Sequence, residues 1–204
     1  MAVNLQSALM NKTIIITGAS RGIGKEIVIQ LSKNKSHKIY ALSRDINKMA
    51  QAFDHLTNVN SMAFDLNENI ENQLKEIIKN EESIDVLINN AGLLINKAFN
   101  QLTNQDLLLS YQVNVFGVIQ TIQQCYPKFN KSSHIVNISS IGGYQGSVKF
   151  PGLTAYSSAK AAICNITEML AEEYKESASK LIVCALELFK QKCLKKHSLT
   201  IKLQ

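Results

Sequence analysis

The sequence predicts an α/β protein built on a parallel, doubly wound sheet of about six strands, with helices on both faces. Short apolar runs alternate with longer amphipathic segments along the 204 residues, and a glycine-rich turn follows the first apolar run. The chain contains only two prolines. We therefore expect one domain over residues 1–186, followed by a basic tail at residues 187–204.

The elements follow one another in a regular order. Residues 13–17 (T-I-I-I-T) form a continuous apolar run, as expected of a strand that is buried on both faces. Residues 22–34 carry Ile23, Ile27 and Leu31 at helical spacing. The other predicted strands are 38–43, 59–64, 86–89, 134–138 and 180–185, and the other predicted helices are 46–55, 67–80, 103–126 and 156–174. This alternation indicates right-handed βαβ units.

Charge and composition exclude several classes of protein. The net charge is +6, but residues 188–204 hold five lysines and no acid, so the rest of the chain carries +1. We therefore expect no nucleic-acid partner, and the tail lacks the aromatic content and apolar stripe of a membrane-binding helix. No apolar run reaches the length of a bilayer, and the N-terminus has no signal-peptide pattern.

The cysteines and histidines predict neither disulfides nor a metal site. No Cys-x-x-Cys pair occurs, and the histidines show no ligand spacing. We expect a cytoplasmic protein with reduced thiols. The residues concerned are Cys125, Cys164, Cys184, Cys193, His37, His55, His134 and His197.

The glycine-rich turn, T-G-A-S-R-G-I-G at residues 17–24, predicts a dinucleotide site. Gly18 permits a tight turn, Gly22 allows a pyrophosphate close to the backbone, and Gly24 allows the helix to pack on the sheet. The helix N-terminus then offers free N–H groups to phosphate. The spacing is G-x3-G-x-G, which differs from the G-x-G-x-x-G of many dehydrogenases.

This turn is similar to that of the short-chain dehydrogenase/reductase family. Three further motifs agree with the family pattern: N-N-A-G at 89–92, Asn114 in the long helix, and Y-x-x-x-K at Tyr156–Lys160. Ser140, which ends I-V-N-I-S-S, resembles the catalytic serine of the family. The resemblance runs from about Lys12 to Leu186 and implies oxidoreductase activity.

Tyr156 and Lys160 are expected on one face of a helix, one turn apart. A phenol ordinarily ionises near pH ~10, and a nearby ammonium favours the phenolate and lowers the pKa. Tyr156 would then serve as the general acid/base. The resemblance further implies that Lys160 binds the nicotinamide ribose, that Ser140 binds the substrate oxygen, and that Asn114 holds a water linking Lys160 to solvent.

The spacing between serine and tyrosine departs from the family pattern. The family usually places them thirteen residues apart, whereas Ser140 and Tyr156 are sixteen apart. The intervening residues are rich in glycine and include Pro151, so we expect a modified loop that walls the substrate pocket. Ser139 is the alternative if the register is wrong by one.

The end of the second strand predicts NADP(H) in preference to NAD(H). The sequence there is A-L-S-R-D, so Ser43 and Arg44 stand where an NAD enzyme carries an acid. Arg21 adds a second guanidinium for a 2′-phosphate. The alternative is that Arg44 is only a solvated charge and Asp45 takes the acidic role. The resemblance adds further cofactor contacts. Asp65 and Leu66 are expected at the adenine, and the other contacts are Ser20, Ile23, Asn90, Ala91 and Gly92.

After Ala185 the family pattern is lost. The resemblance implies P-G-x-x-x-T, a further helix and a seventh strand, and none of these is visible. Read one base out of phase, suitable codons for residues 187–204 spell A-V-Q-T-E-M-F-K-K-A-F-P-D-Y-K-A-P, which is similar to the expected segment. We expect a truncation or a single-base frameshift, which the gene sequence tests. A homo-oligomer is typical of the family, but the missing helix and strand commonly form its interface.

The sequence therefore predicts an NADP(H)-dependent oxidoreductase that interconverts a carbonyl and an alcohol on a small substrate. Two other hypotheses stay open. One is a catalytically impaired nucleotide-binding remnant that lacks the substrate-binding segment, and the other is an unstable translation product.

Overall fold

The computed structural model describes residues 11–176 and 180–186, the latter by backbone alone. Its six strands form one parallel sheet in the order β3-β2-β1-β4-β5-β6, and this confirms the predicted fold class. The strands are β1 (Thr13–Thr17), β2 (Lys38–Ser43), β3 (Val59–Ala63), β4 (Ile84–Asn89), β5 (Phe129–Ser140) and β6 (Lys180–Leu186).

Helices cover both faces of the sheet. They are α1 (Gly22–Leu31), α2 (Ile46–Phe53), α3 (Ile70–Ile78), α4 (Asn104–Tyr111), α5 (Gly117–Cys125) and α6 (Thr154–Glu173). In β1, Ile14 and Ile16 pack with α1 and α2, whereas Ile15 packs with α3, α5 and α6. All three side chains are buried, as the continuous apolar run predicts.

Most predicted boundaries lie within three residues of the observed ones, and β5 is the exception. It begins at Phe129 instead of residue 134, and its pairing with β4 is irregular between Ile84 and Val86. After Phe129 the added residues 130–133 are all polar, so no apolar pattern marks them. Ser133 satisfies the backbone at this irregularity: its hydroxyl donates to the Ile84 carbonyl at 2.7 Å and accepts from the Asn130 amide at 2.8 Å.

The predicted helix 103–126 is a composite of three segments. α4 begins with a capping box between Thr103 and Asp106. A π-helical segment, Gln112–Phe116, then widens the helix before α5 continues it. Such segments are frequent at functional sites, and this one carries Asn114.

The strand order reverses at β1, whose neighbours are β2 and β4. The crossovers on either side of β1 therefore run in opposite directions and leave a crevice at the carboxyl ends of β1 and β4. In open α/β sheets ligands bind at this switch point. The glycine turn after β1 and the N-N-A-G segment after β4 both lie there.

The opposite, amino edge of the sheet is joined by a buried carboxylate. Glu81, 6% exposed, accepts hydrogen bonds from Lys38 Nζ and Tyr40 Oη at 2.6 Å and from Thr13 Oγ1 at 3.3 Å. Burial alone would raise the pKa of Glu81, but the hydrogen bonds from Lys38 and Tyr40 outweigh it and lower the pKa. The carboxylate thus links β1 and β2 to the turn that precedes β4.

Within the described ranges, no helix has the combined length and apolarity of a membrane span. The basic tail, residues 187–204, which includes Cys193, lies outside the described residues. The predictions of a frameshift, of a missing seventh strand and of a separate tail therefore remain predictions.

Candidate active site

The glycine turn follows from close packing at its first and last glycines. Gly18 has a φ of +69°, and a Cβ there would stand 2.7 Å from the Cα of Ala91. A Cβ on Gly24 would stand 2.3 Å from the Gly18 carbonyl oxygen. Gly22, with a φ of +55°, instead faces open space. The turn is therefore tight at both ends and open at its centre.

The N-N-A-G segment holds the glycine turn in place. The Asn90 side-chain amide donates to the carbonyls of Thr17 and Gly18, both at 3.1 Å. Thr17 Oγ1 accepts from the backbone N–H groups of Asn90 and Ala91, also at 3.1 Å. Asn89 points into the core, where its amide donates to Asn137 Oδ1 at 2.8 Å. The two asparagines thus connect β4 to different neighbours.

A cavity of about 620 Å³ opens above this edge of the sheet. The residues predicted to contact a cofactor all line it, apart from Gly24. The predicted residues on the lining are Gly18, Ser20, Arg21, Gly22, Ile23, Ser43, Arg44, Asp65, Leu66, Asn90, Ala91, Gly92, Tyr156 and Lys160. Ser139, the alternative catalytic serine, also lines it. The sequence analysis missed residues that lie next to strand ends or on the helix that follows β4, namely Phe64, Asn67, Leu93, Leu94, Leu109, Val113 and Ile138.

Tyr156 and Lys160 lie on the first turns of α6 and reach the same cavity. Lys160 is 3% exposed, and its Nζ lies 5.9 Å from the centre of the Tyr156 ring. Its ammonium donates to the Ile138 carbonyl at 2.8 Å. A Cβ on Gly92 would stand 3.5 Å from that Nζ, which is an ordinary van der Waals contact.

The pKa values differ from the sequence expectation. Burial raises the pKa of Tyr156 and outweighs the hydrogen bond from Ser140, which lowers it. Burial also lowers the pKa of Lys160 to about 8. The expectation that the pKa of Tyr156 lies below its ordinary value is thus wrong, because burial disfavours the phenolate more than the hydrogen bond from Ser140 favours it.

The two candidate serines have different surroundings. Ser140 is 4% exposed, hydrogen-bonds Tyr156, and accepts from the Gly142 amide at 3.3 Å. Ser139 donates to the Lys160 carbonyl at 2.8 Å and lies 3.1 Å from Cys164 Sγ. Ser140 interacts with the Tyr156 phenol, whereas the Ser139 hydroxyl is engaged by the Lys160 backbone, and this difference favours Ser140. Ser139, and not Ser140, is among the residues that line the cavity.

Asn114 is fully buried in the π-helical segment. Its Oδ1 accepts from the Leu93 amide at 3.1 Å, and its Nδ2 donates to the carbonyls of Leu93 at 2.8 Å and Ser110 at 2.9 Å. A Cβ on Gly92 would stand 2.9 Å from Asn114 Oδ1. Asn114 thus fixes the chain beside Gly92, and the missing Gly92 side chain leaves open space that borders both Asn114 Oδ1 and Lys160 Nζ.

The end of β2 contributes a second hollow of about 570 Å³, lined in part by Arg21, Arg44 and Lys48. Ser43 Oγ donates to Ser20 Oγ at 2.8 Å. Asp45 caps α2: its carboxylate accepts from the Lys48 amide at 3.1 Å and pairs with the Lys48 ammonium at 2.5 Å.

Comparison with known proteins agrees with this geometry. The short chain dehydrogenase family matches residues 12–198. The chain is 31% identical over 172 residues to the 3-oxoacyl-(acyl-carrier-protein) reductase FabG of Staphylococcus epidermidis, covering 80% of this chain and 69% of that protein. It is 34% identical over 166 residues to the 3-ketodihydrosphingosine reductase of Bacteroides thetaiotaomicron, covering 78% of this chain and 57% of that protein.

A solved structure is also similar. The short-chain dehydrogenase of Streptomyces avermitilis is 26% identical, with a TM-score of 0.77; the match covers 86% of this chain and 65% of that one. The glycine turn, the N-N-A-G segment and the Tyr156–Lys160 pair lie inside the matched part of the chain. The chain belongs to the short-chain dehydrogenase/reductase family of oxidoreductases.

Proposed function

We propose that this chain is an NADP(H)-dependent oxidoreductase that interconverts a carbonyl and an alcohol on a small substrate, with Tyr156 as general acid/base. One observation carries the proposal: Tyr156 and Lys160 line the same cavity as the glycine turn. An acid/base group and a phosphate-binding turn are thereby in reach of one extended ligand.

The residues present fit a nicotinamide dinucleotide. The open space at Gly22 accommodates a pyrophosphate at the N-terminus of α1. Asp65 and Leu66 are assigned to the adenine, and Lys160 with the N-N-A-G backbone to the nicotinamide ribose. When bound, the nicotinamide supplies or accepts the hydride.

The side chains then manage the proton. Because burial raises the pKa of Tyr156, the phenol is protonated at neutral pH and is ready to donate to a developing alkoxide. Ser140 hydrogen-bonds the substrate oxygen and stabilises the charge that forms on it. This protonation state favours carbonyl reduction, and the two similar proteins from Staphylococcus epidermidis and Bacteroides thetaiotaomicron are named as reductases of oxo or keto compounds.

The surroundings of β2 support NADP(H). Asp45 is engaged as the cap of α2, which leaves Arg44 as the group next to the ribose position. The Arg44 side chain is 72% exposed and lies 4.0 Å from Asp65, so it is free to rotate onto a phosphate. The buried free thiols Cys125 and Cys164 suit a reducing cytoplasm.

We expect Arg44→Ala to weaken the binding of NADPH without affecting the binding of NADH. A charged hydrogen bond to phosphate is worth about 1.5–3 kcal/mol, so KM for NADPH rises about 10- to 100-fold. Steady-state kinetics with both cofactors measure this. Lys35→Ala, an exposed cation before β2, is the control. Equal losses with both cofactors would assign Arg44 to a general role and contradict the NADP(H) preference.

Turnover and binding together test the proposal. Calorimetry with NADPH and an assay over small ketones and alcohols are performed on the full chain. We expect binding and reduction of at least one ketone class. Binding without any turnover would indicate the catalytically impaired nucleotide-binding remnant, and no cooperative unfolding would indicate an unstable product.

A further inference from the structure

The loop between Ser140 and α6 contains a lysine whose three donors are all used. Lys149 is exposed, yet its ammonium donates to the Gly142 carbonyl at 3.0 Å, to Ser147 Oγ at 2.8 Å and to the Tyr144 carbonyl. A lysine ammonium has three N–H donors. Exposed lysines are usually solvated and flexible, so three acceptors within one loop need a structural explanation.

Ser147 completes the inside of the same loop. Its hydroxyl lies within hydrogen-bond distance of the carbonyls of both Ile141 and Tyr144 and shares its single proton between them. The Ser147 amide also donates to the Tyr144 carbonyl at 3.3 Å. Gly146 has a φ of +76°, which permits the turn between these residues. The ammonium thus lies at the centre of a ring of carbonyl and hydroxyl oxygens, and none of these partners is a carboxylate.

The ring is connected to Ser140 through one residue, Gly142. The Gly142 carbonyl accepts from Lys149, and the Gly142 amide donates to Ser140 Oγ at 3.3 Å. Gly142 itself is pressed against α6, where a Cβ would stand 2.9 Å from Ser157 Oγ. A displacement of Gly142 would therefore change the orientation of the Ser140 hydroxyl beside Tyr156.

We propose that Lys149 is a positioning residue that holds the loop closed and, through Gly142, orients the hydroxyl of Ser140 toward Tyr156. This inference rests on the proposed function, because it takes Ser140 to contact the substrate oxygen. The fixed hydroxyl is pre-organised for that contact. The longer spacing between Ser140 and Tyr156 gives this chain a loop long enough to fold back on itself.

A double-mutant cycle tests the route through Ser140. We expect Lys149→Met to lower kcat about tenfold while KM for NADPH is unchanged, and Lys149→Arg to restore most of the loss. In a Ser140→Ala background Lys149→Met should have no further effect. Lys131→Met, an exposed lysine in β5, is the control. An independent loss in the double variant, or a raised KM for NADPH, would overturn the inference.

Hydrogen exchange of the full chain keeps the test independent of turnover. The Gly142 amide should exchange faster in Lys149→Met than in the unmodified chain, and Ser147→Ala should produce a smaller increase. Unchanged exchange at Gly142 overturns the inference whether or not the chain is active. Faster exchange in a chain without turnover would support the loop contacts while the proposed function itself fails.

Discussion

Replacing Tyr156 by phenylalanine should abolish most turnover while leaving the fold and the binding of NADPH intact. The substitution removes one hydroxyl from a side chain that is 8% exposed and keeps the ring that packs there. Loss of a general acid costs about 10²- to 10⁴-fold in rate. We therefore expect kcat to fall by that factor, measured by steady-state kinetics, with the calorimetric Kd for NADPH unchanged.

A second tyrosine provides the matched control. Tyr126 is 38% exposed and stacks on Tyr174 with ring centres 4.8 Å apart. Tyr126→Phe should keep full activity because its hydroxyl is not among the groups that line the cavity. If the Tyr156→Phe variant still reduced ketones at a substantial rate, the proton would come from another group, and Tyr156 would lose its assigned role.

Lys160→Met should make the protein more stable and inactive. Burial lowers the pKa of Lys160 from its ordinary 10.5 to about 8, so at pH 7 the fold contains a buried cation. The difference corresponds to about 3 kcal/mol against folding, and the lost hydrogen bond to Ile138 offsets about 1 kcal/mol of the gain. Thermal unfolding at pH 7 should show a rise of roughly 5 °C, with kcat reduced at least about 100-fold.

The pH dependence provides a second readout of the same substitution. Between pH 8 and 10.5 the unfolded chain retains a proton that folded Lys160 has lost, so the stability of the unmodified protein rises with pH over this window. The advantage of Lys160→Met should therefore be full below pH 8 and shrink above it. Lys35→Met, at an exposed position, should show neither effect. A lower melting temperature for Lys160→Met at pH 7 would contradict the buried-cation explanation.

Much of the candidate site was predictable because it depends on local requirements. Gly18 and Gly24 are glycines for backbone reasons that apply in any strand-turn-helix unit, and the four-residue spacing of Tyr156 and Lys160 fixes them to one helical face. Their pKa values were not predictable. These depend on burial, which is a property of the packed chain: Ser139 holds the Lys160 backbone, and Ile138 accepts from its amine.

The fold was predictable from the sequence where the strands are apolar. The prediction failed where polar side chains interrupt the apolar pattern. The first residues of β5 are stabilised by Ser133 bonding to the β4 backbone, and a polar run of this kind reads as a loop in sequence. The π-helical segment around Asn114 was also hidden, because one extra residue per turn scarcely alters an apolar pattern over five residues. A buried asparagine in an apolar helix was its only local signal.

The contacts of Glu81 separate the stabilising interactions at one edge of the sheet from the candidate active site at the other edge. The groups assigned to binding and catalysis lie at the carboxyl edge of the sheet. The Glu81 carboxylate, hydrogen-bonded to Lys38 and Tyr40, lies at the amino edge of the same strands. Changes on distant, unconnected positions combine almost additively. In laboratory evolution, substitutions that raise stability at the amino edge should therefore let the protein tolerate destabilising substitutions at the active-site edge. The added stability should not lower activity.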